Sequence, residues 1–140
     1  FTVKTRKGDT IVDKDEYILN RRHAERAFES MMYKDISISF IGHTHRPCYW
    51  VQMPDGSAEF VPYDAVKGPE KLNPSQKVIV NVGSVGQPRD NDSRGCFIVW
   101  DDVAHTIEFV RFEYDIPKAQ EKIRAAGLPV ILADRLGEGF

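Results

Sequence analysis

The chain has 140 residues, of which 41% are hydrophobic and 29% are charged, and its formal net charge is −2. This length and composition are typical of one globular domain with a buried core. A net charge close to zero gives no reason to expect nucleic acid or an anionic membrane as a partner. No apolar run approaches the roughly 20 residues that a membrane-spanning helix needs, so we expect no membrane span.

The first residue and the cysteines give further expectations. The chain begins at Phe1 rather than at methionine, and we therefore expect it to be a piece of a longer protein. Cys48 and Cys96 are compatible with one disulfide and at least equally with free thiols in a reducing compartment. We expect a cytoplasmic location.

A helix is predicted in the first third of the chain. Residues 1–5 are compatible with a strand that turns at residues 7–9. Asn20 is suited to begin a helix, because its side-chain oxygen can accept a hydrogen bond from a free backbone N–H. Apolar residues then recur with helical spacing. They are Ala24, Ala27, Phe28 and Met31.

Strand patterns dominate the middle of the chain. Residues 36–41 alternate and predict a strand that ends at a glycine-containing loop. Residues 49–53 and 58–63 flank Pro-Asp-Gly-Ser and predict a hairpin. Residues 67–75, with one glycine and two prolines, read as an exposed loop. Residues 77–82 are apolar on both faces, as in a strand that is covered on both sides.

The last third is predicted to contain a second hairpin and helices. After a loop at residues 83–95, residues 96–100 are expected to pair with residues 106–112. Asp115 is suited to begin a helix that Gly127 ends, and a short helix follows from Pro129 to Leu136. We therefore predict an α/β (α+β) fold in one domain over residues 1–140. It has a mostly antiparallel or mixed sheet with flanking helices.

The strongest chemical signal is the pair His43 and His45, directly after the predicted strand at 36–41. In extended backbone, side chains two residues apart leave the same face, so both rings could reach one site. Neutral imidazole is a frequent ligand of transition metals. Two ligands do not hold a metal by themselves, and such a pair also arises by chance or as structurally satisfied histidines.

Two segments resemble a known family. Gly42-His-Thr-His45 resembles the final metal-binding motif of the calcineurin-like metallophosphoesterases. Asn81-Val-Gly-Ser-Val-Gly-Gln-Pro-Arg-Asp90 resembles the loop after the next core strand in their small bacterial and archaeal phosphodiesterase branch. Residues 15–19 and 114–129 fit the same branch, so the resemblance covers most of the chain.

The resemblance implies a two-metal phosphoesterase in a four-layer αββα sandwich. Two divalent ions, manganese most readily and otherwise iron or zinc, would activate a hydroxide for attack on a phosphodiester or phosphomonoester. His43 and His45 would be the last two ligands, one for each ion. The substrate would be a phosphate-ester small molecule or a nucleotide.

The chain also departs from the family pattern. The upstream Asp-x-His, Gly-Asp-x-x-Asp and Gly-Asn-His motifs are absent, and Gly8-Asp9 with Asp13 has the wrong spacing. The resemblance therefore implies the carboxyl-terminal half of such an enzyme, inactive alone. Its general acid would lie in the missing half. The alternative is a degenerate, non-catalytic binding or regulatory module that keeps the fold. An uncovered sheet face is expected to favour self-association.

Other residues near the two motifs are candidates for the same site. Gly83 and Ser84 could offer backbone N–H groups to a phosphate, and Arg46 and Arg89 could bind it through their guanidinium groups. Each also has a simpler interpretation, as a tight turn or a solvated charge. Asn81, together with Gly42, is expected to support the histidines, although a residue at a strand end more often bonds backbone.

Two other metal sites are weaker hypotheses. Residues 90–101 resemble a calcium loop, but Arg94 occupies a ligand position and 96–100 look like a strand. Cys48 and Cys96 could join the paired histidines in a zinc site, although the cysteines read as apolar strand residues. The remaining histidines are most simply surface residues. They are His23 and His105.

Overall fold

The computed structural model describes residues 17–140, so the predicted strand at 1–5 and the turn at 7–9 lie outside the described residues. The elements in chain order are α1 (Arg21–Met32), β1 (Ile38–Ile41), β2 (Cys48–Gln52), β3 (Ala58–Pro62), β4 (Glu70–Lys71), β5 (Val78–Asn81), β6 (Gly95–Asp101), β7 (Thr106–Phe112), α2 (Ile116–Ala125) and α3 (Ile131–Asp134). Short 3-10 turns follow β3, at Tyr63–Ala65, and α3, at Arg135–Gly137.

The described strands form two sheets, as the resemblance implied, whereas the sequence pattern alone suggested one. One sheet has the strand order β1-β5-β2-β3 and the other the order β4-β7-β6. The β1–β5 pair is parallel and the other strand pairs are antiparallel, as the prediction of a mostly antiparallel or mixed arrangement requires. The parallel pair brings the carboxyl ends of β1 and β5 to the same edge of the sheet.

Helix α1 covers one face of the four-stranded sheet. The side chain of Asn20 accepts a hydrogen bond from the backbone N–H of His23, which confirms the predicted cap. Ala24, Phe28 and Met31 from the predicted apolar stripe are buried against Trp50 and other residues of the sheet. The helix forms because its local cap and its apolar spacing agree with the face that it must bury.

Strand β5 lies between two cores, as its apolar sequence predicted. Ile79 points to the core beneath α1. Val78 and Val80 belong to a second core between the sheets, together with Ile107 of β7. The alternation of side chains along a strand therefore explains why all four β5 residues are buried.

One predicted loop contains a short strand. Residues 67–75 were expected to be exposed loop throughout, but β4 pairs with β7 and Leu72 is buried in the core between the sheets. Two paired residues are too short to leave a periodic pattern in the sequence.

The carboxyl-terminal helices agree with the sequence signals. Asp115 accepts a hydrogen bond from the backbone N–H of Lys118 at the start of α2, and Gly127 has the expected positive φ of 69° just beyond its end. Helix α3 and the turn after it cover the predicted short helix and contribute buried Ala133 and Leu136. The α/β fold class is thus confirmed. In residues 17–140, no helix has the length and apolar character that crossing a membrane requires.

Candidate functional site

Two loops lie side by side where the parallel strands β1 and β5 end. Ile41, the last residue of β1, is in register with Asn81, the last residue of β5. The backbone N–H of Arg89 donates to the carbonyl oxygen of His45 over 3.2 Å, which joins the second loop to the first. The carboxyl ends of parallel strands are a frequent location of binding sites.

The backbone at the two histidines is not extended, and that expectation was wrong. His43 and His45 have positive φ values of 76° and 60°. The N–H of Thr44 donates to the carbonyl of Gly42 over 3.0 Å, which closes a three-residue turn around His43. Turns of this kind with positive φ are rare, and positive φ costs a non-glycine residue roughly 1–3 kcal/mol. His105, in the β6–β7 turn, also has positive φ, of 52°, so the conformation alone does not define a site.

The ring of His45 is held by a backbone carbonyl. Its Nδ1 lies 2.7 Å from the carbonyl oxygen of Gln87. Because a carbonyl can only accept, Nδ1 must carry the proton, and Nε2 of the neutral ring keeps its lone pair. Histidine ligands of metals usually donate their other ring N–H in this way. His45 therefore has the tautomer that a metal ligand needs.

His43 has a different neighbour. Its ring stacks on the ring of Tyr17, with centroids 4.0 Å apart and an interplanar angle of 28°. The side chain is exposed, whereas that of His45 is half-buried. Within residues 17–140, no three or more His, Cys, Asp or Glu side chains form a group that could hold a metal ion. The described part of the chain thus offers at most a share of the donors that a metal centre needs.

Asn81 ties the two loops together beneath the histidines. Its side-chain amide donates to Oγ1 of Thr44 over 2.7 Å and to the carbonyl of Gly42 over 3.3 Å. Its side-chain oxygen accepts from the N–H of Gly83 over 3.1 Å. Asn81 is 1% exposed, so these bonds satisfy a buried amide. It supports the histidine loop through Thr44 and the backbone.

The glycine and serine at the start of the second loop are bonded within that loop. The hydroxyl of Ser84 accepts from the N–H of Gln87 over 2.9 Å, and the N–H of Gly83 donates to the side-chain oxygen of Asn81. Gly83 itself has a φ of 78° and lies against Cys96 and Pro47. A phosphate contact through these two residues stays a prediction, and their internal hydrogen bonds count against it.

The two arginines meet across the loops. Nε of Arg46 donates to the carbonyl oxygen of Arg89 over 2.8 Å. Nη2 of Arg89 donates to the side-chain oxygen of Gln87 over 2.9 Å, while its Nε is buried with no hydrogen-bond partner in residues 17–140. Both guanidinium groups therefore lie at the same edge as His45.

Sequence reasoning missed some of the residues that surround the two histidines. The contact of Gln87 with His45 involves a backbone oxygen, which leaves no sequence signal. Thr44 stood inside the recognised motif but was not singled out. Tyr17 lies 26 positions before His43, and the pairing could be inferred only from the fold.

The weaker metal hypotheses are wrong for the described residues. Cys48 and Cys96 are free and buried, and burial raises the pKa of each thiol to about 11. They form neither a disulfide nor a zinc group with the histidines. The proposed calcium loop is strand from Gly95 to Asp101.

The other two histidines are less exposed than expected. His23 is half-buried, with Nδ1 at 2.6 Å from the carbonyl oxygen of Tyr17 and Nε2 at 3.2 Å from the side-chain nitrogen of Asn20. The ring of His105 lies 5.9 Å from that of Trp100.

Comparison with solved structures gives the class of the fold. The chain superposes on the crystal structure of a metallophosphoesterase from Sphaerobacter thermophilus with a TM-score of 0.73 and 35% sequence identity. The match covers 89% of this chain and 51% of that one. The fold is therefore that of a metallophosphoesterase, and the match supports this superfamily for the chain.

A curated protein is also similar to the chain, whereas the comparison with family models found no match. The chain is 39% identical over 97 residues to Uncharacterized protein MJ0912 from Methanocaldococcus jannaschii. The match covers 69% of this chain and 37% of that protein. No family model matches the chain. The chain thus spans about half or less of the length of the proteins that it matches.

Proposed function

We propose that the chain supplies the carboxyl-terminal share of a phosphoesterase site that depends on a pair of divalent metal ions. The observation that carries this proposal is the 2.7 Å contact between Nδ1 of His45 and the carbonyl of Gln87. It leaves the lone pair on Nε2 of His45 available to a metal. His45 lies at the carboxyl ends of parallel strands, where ligands commonly bind. The structural likeness to a metallophosphoesterase supports the same proposal.

His43 and His45 would be the metal ligands of this share of the site. Manganese is the metal that we propose, with iron or zinc as alternatives, since imidazole binds all three. When bound, such ions supply charge neutralisation and an activated water for phosphate-ester hydrolysis. The remaining ligands and the general acid would come from polypeptide outside residues 17–140.

The arginines of the site would bind the substrate. Arg46 and Arg89 lie at the same edge as His45, and guanidinium groups bind phosphate oxygens in a two-pronged geometry. The buried, unpartnered Nε of Arg89 is a donor that a phosphate could satisfy. We propose a phosphate-ester small molecule or a nucleotide as the substrate class.

Metal binding by the chain tests the ligand assignment. We expect weak binding of manganese or zinc by isothermal titration, and loss of that binding when His43 and His45 are both changed to alanine. His105→Ala is the matched control, because it removes a histidine that also has positive φ but lies in the β6–β7 turn. Binding that survives the double change, or that is lost with His105→Ala, would reject the assignment.

We propose that hydrolysis needs metal ligands from outside residues 17–140. In a protein extended upstream of Phe1 in its reading frame, we expect manganese-dependent hydrolysis of bis-p-nitrophenyl phosphate that His45→Ala abolishes. Metal binding without hydrolysis in that protein would favour the alternative, a binding or regulatory module that keeps the fold.

Two further expectations remain proposals. Two buried free thiols are compatible with the cytoplasmic location that we propose. Self-association is supported by exposed apolar side chains on β1 and β6, one edge strand of each sheet. These side chains are Phe40, Phe97 and Val99. Sedimentation showing a clean monomer would contradict the self-association proposal.

A further inference from the structure

A buried arginine lies next to the loop that holds His45. The side chain of Arg111, on β7, is 4% exposed and forms an ion pair with Asp90. Its Nη1 donates to the carbonyl of Arg94 over 3.1 Å, and its guanidinium carbon lies 4.5 Å from the centre of the Tyr63 ring. A buried charge persists only when it is paired, so Asp90 and Arg111 are held together strongly.

The ion pair favours the charged form of Arg111. Burial lowers the pKa of Arg111, but the hydrogen bond and the charge of Asp90 outweigh burial, so the pKa is raised above its ordinary value. Asp92 is a second carboxylate neighbour, with Oδ2 3.7 Å from Nε of Arg111. Oδ1 of Asp90 is buried without a hydrogen-bond partner in the described residues. Arg111 is therefore the main partner of Asp90.

Asp90 is only three residues from the carbonyl that orients His45. Between them, the N–H of Arg89 donates to the carbonyl of His45 over 3.2 Å, and the carbonyl of Arg89 accepts from Arg46 over 2.8 Å. The carbonyl of Gln87 then contacts Nδ1 of His45. A rigid attachment at Asp90 therefore limits how far this short segment can move away from the histidine.

We propose that Arg111 is a positioning residue, which holds Asp90 and thereby keeps the carbonyl of Gln87 against the ring of His45. The consequence for metal binding rests on the proposed function, whereas the orientation of His45 does not. The simpler alternative is that the ion pair only stabilises the fold, by attaching the loop to the β6–β7 hairpin. The two alternatives differ in what happens to His45 in a folded variant.

The test compares folded variants by the state of the His45 ring. In the metal-free chain, ring-nitrogen chemical shifts measured by NMR at mildly alkaline pH report the share of each tautomer. We expect the wild-type ring to be mostly in the Nδ1–H form, and Arg111→Met to shift it toward a mixture. Zinc affinity should fall about tenfold in the same variant, as is typical when the partner of a ligand histidine is lost.

Two controls and a second test variant separate positioning from stability. Phe28→Leu lowers stability through the core beneath α1 and should leave the His45 tautomer unchanged. Arg124→Met removes an exposed ion pair to Asp134, 2.9 Å long, and should change neither property. Asp90→Asn keeps the shape of the carboxylate but removes its charge, and it should reproduce the effect of Arg111→Met; it replaces that variant if Arg111→Met does not fold.

The outcomes are distinct. A shift of the His45 tautomer in the Arg111 and Asp90 variants, but not in Phe28→Leu, supports the positioning role. An unchanged tautomer in folded Arg111 or Asp90 variants overturns it, as does an equal shift in Phe28→Leu. If no protein binds zinc, the proposed function fails, while the tautomer measurement still decides the role of Arg111.

Discussion

The side-chain amide of Asn81 donates a 2.7 Å hydrogen bond to Oγ1 of Thr44, the residue between His43 and His45. The same amide group also contacts backbone in both loops. One buried side chain therefore joins the end of β5 to the histidine loop after β1. Because the two parts are 37 positions apart, this bond defines the local shape of the site from outside the motif itself.

Asn81→Ala should destabilise the chain. The change leaves the N–H of Gly83 and the hydroxyl of Thr44 without their buried partner, which costs about 2–3 kcal/mol of the free energy of unfolding. Urea denaturation measures the loss. The control is Asn73→Ala at an exposed turn, where we expect a cost below about 1 kcal/mol. Equal effects of the two changes would contradict the bridging role of Asn81.

Gly83→Ala should lower the free energy of unfolding, whereas Gly86→Ala should leave it nearly unchanged. A methyl group at position 83 would lie 3.0 Å from Cβ of Cys96 and 3.2 Å from Cβ of Pro47, on backbone with a φ of 78°. We expect a loss of roughly 1–3 kcal/mol in the free energy of unfolding. A methyl group at Gly86 would meet nothing within 4 Å, so that variant is the matched control. Thermal unfolding of both variants provides the measurement.

Asp92 should lose its contribution to stability only at strongly acidic pH, below 3.8. The hydrogen bonds from Arg94 lower the pKa of its carboxyl from 3.8 to about 2. The charged form is favoured in the folded chain, so the contribution is complete above pH 3.8 and is lost as pH falls toward about 2. The side chain is partly open to solvent, which limits the contribution to about 1 kcal/mol.

Comparison of wild type with Asp92→Asn by urea denaturation checks this pH dependence. The difference in the free energy of unfolding should be constant at moderately acidic and neutral pH, and should shrink below pH 3.8. Asp102→Asn, on an exposed residue of the β6–β7 turn, is the control. A difference that grows as the pH falls would contradict the predicted direction of this pH dependence.

The two thiols should be unreactive in the folded chain. Cys48 is 8% exposed and Cys96 is 1% exposed, and burial raises the pKa of each to about 11. A disulfide reagent such as DTNB should therefore label them no faster than the chain unfolds, and at once in denaturant. Prompt labelling of either cysteine under native conditions would contradict the burial of that thiol.

The same burial predicts an alkaline loss of stability. Unfolded thiols lose their protons near pH 9.0 and the folded ones near about 11, so the folded form binds more protons between these values. The contribution of the thiols to stability is complete below pH 9.0 and declines as the pH rises toward 11. A variant with both cysteines changed to alanine should show a flatter stability profile across this interval.

The sequence by itself predicted the local elements. Asn20 and Asp115 begin their helices as expected, because a cap needs only the side chain and the next turn of backbone. The apolar residues of β5 predicted burial on both faces of the strand, and all four residues of the strand are buried. The histidine pair and the Gly-Ser loop were recognised because each motif is contiguous in the chain.

The tertiary structure alone decided which separate segments meet. The sequence did not show that β4 pairs with β7, that the carbonyl of Gln87 faces His45, or that Arg111 pairs with Asp90. It also suggested extended backbone at the histidines, where the structure has positive φ. A cap or an apolar stripe is a property of neighbouring residues and leaves a repeating pattern. A contact between distant segments depends on how the sheets pack and leaves no pattern in a single sequence.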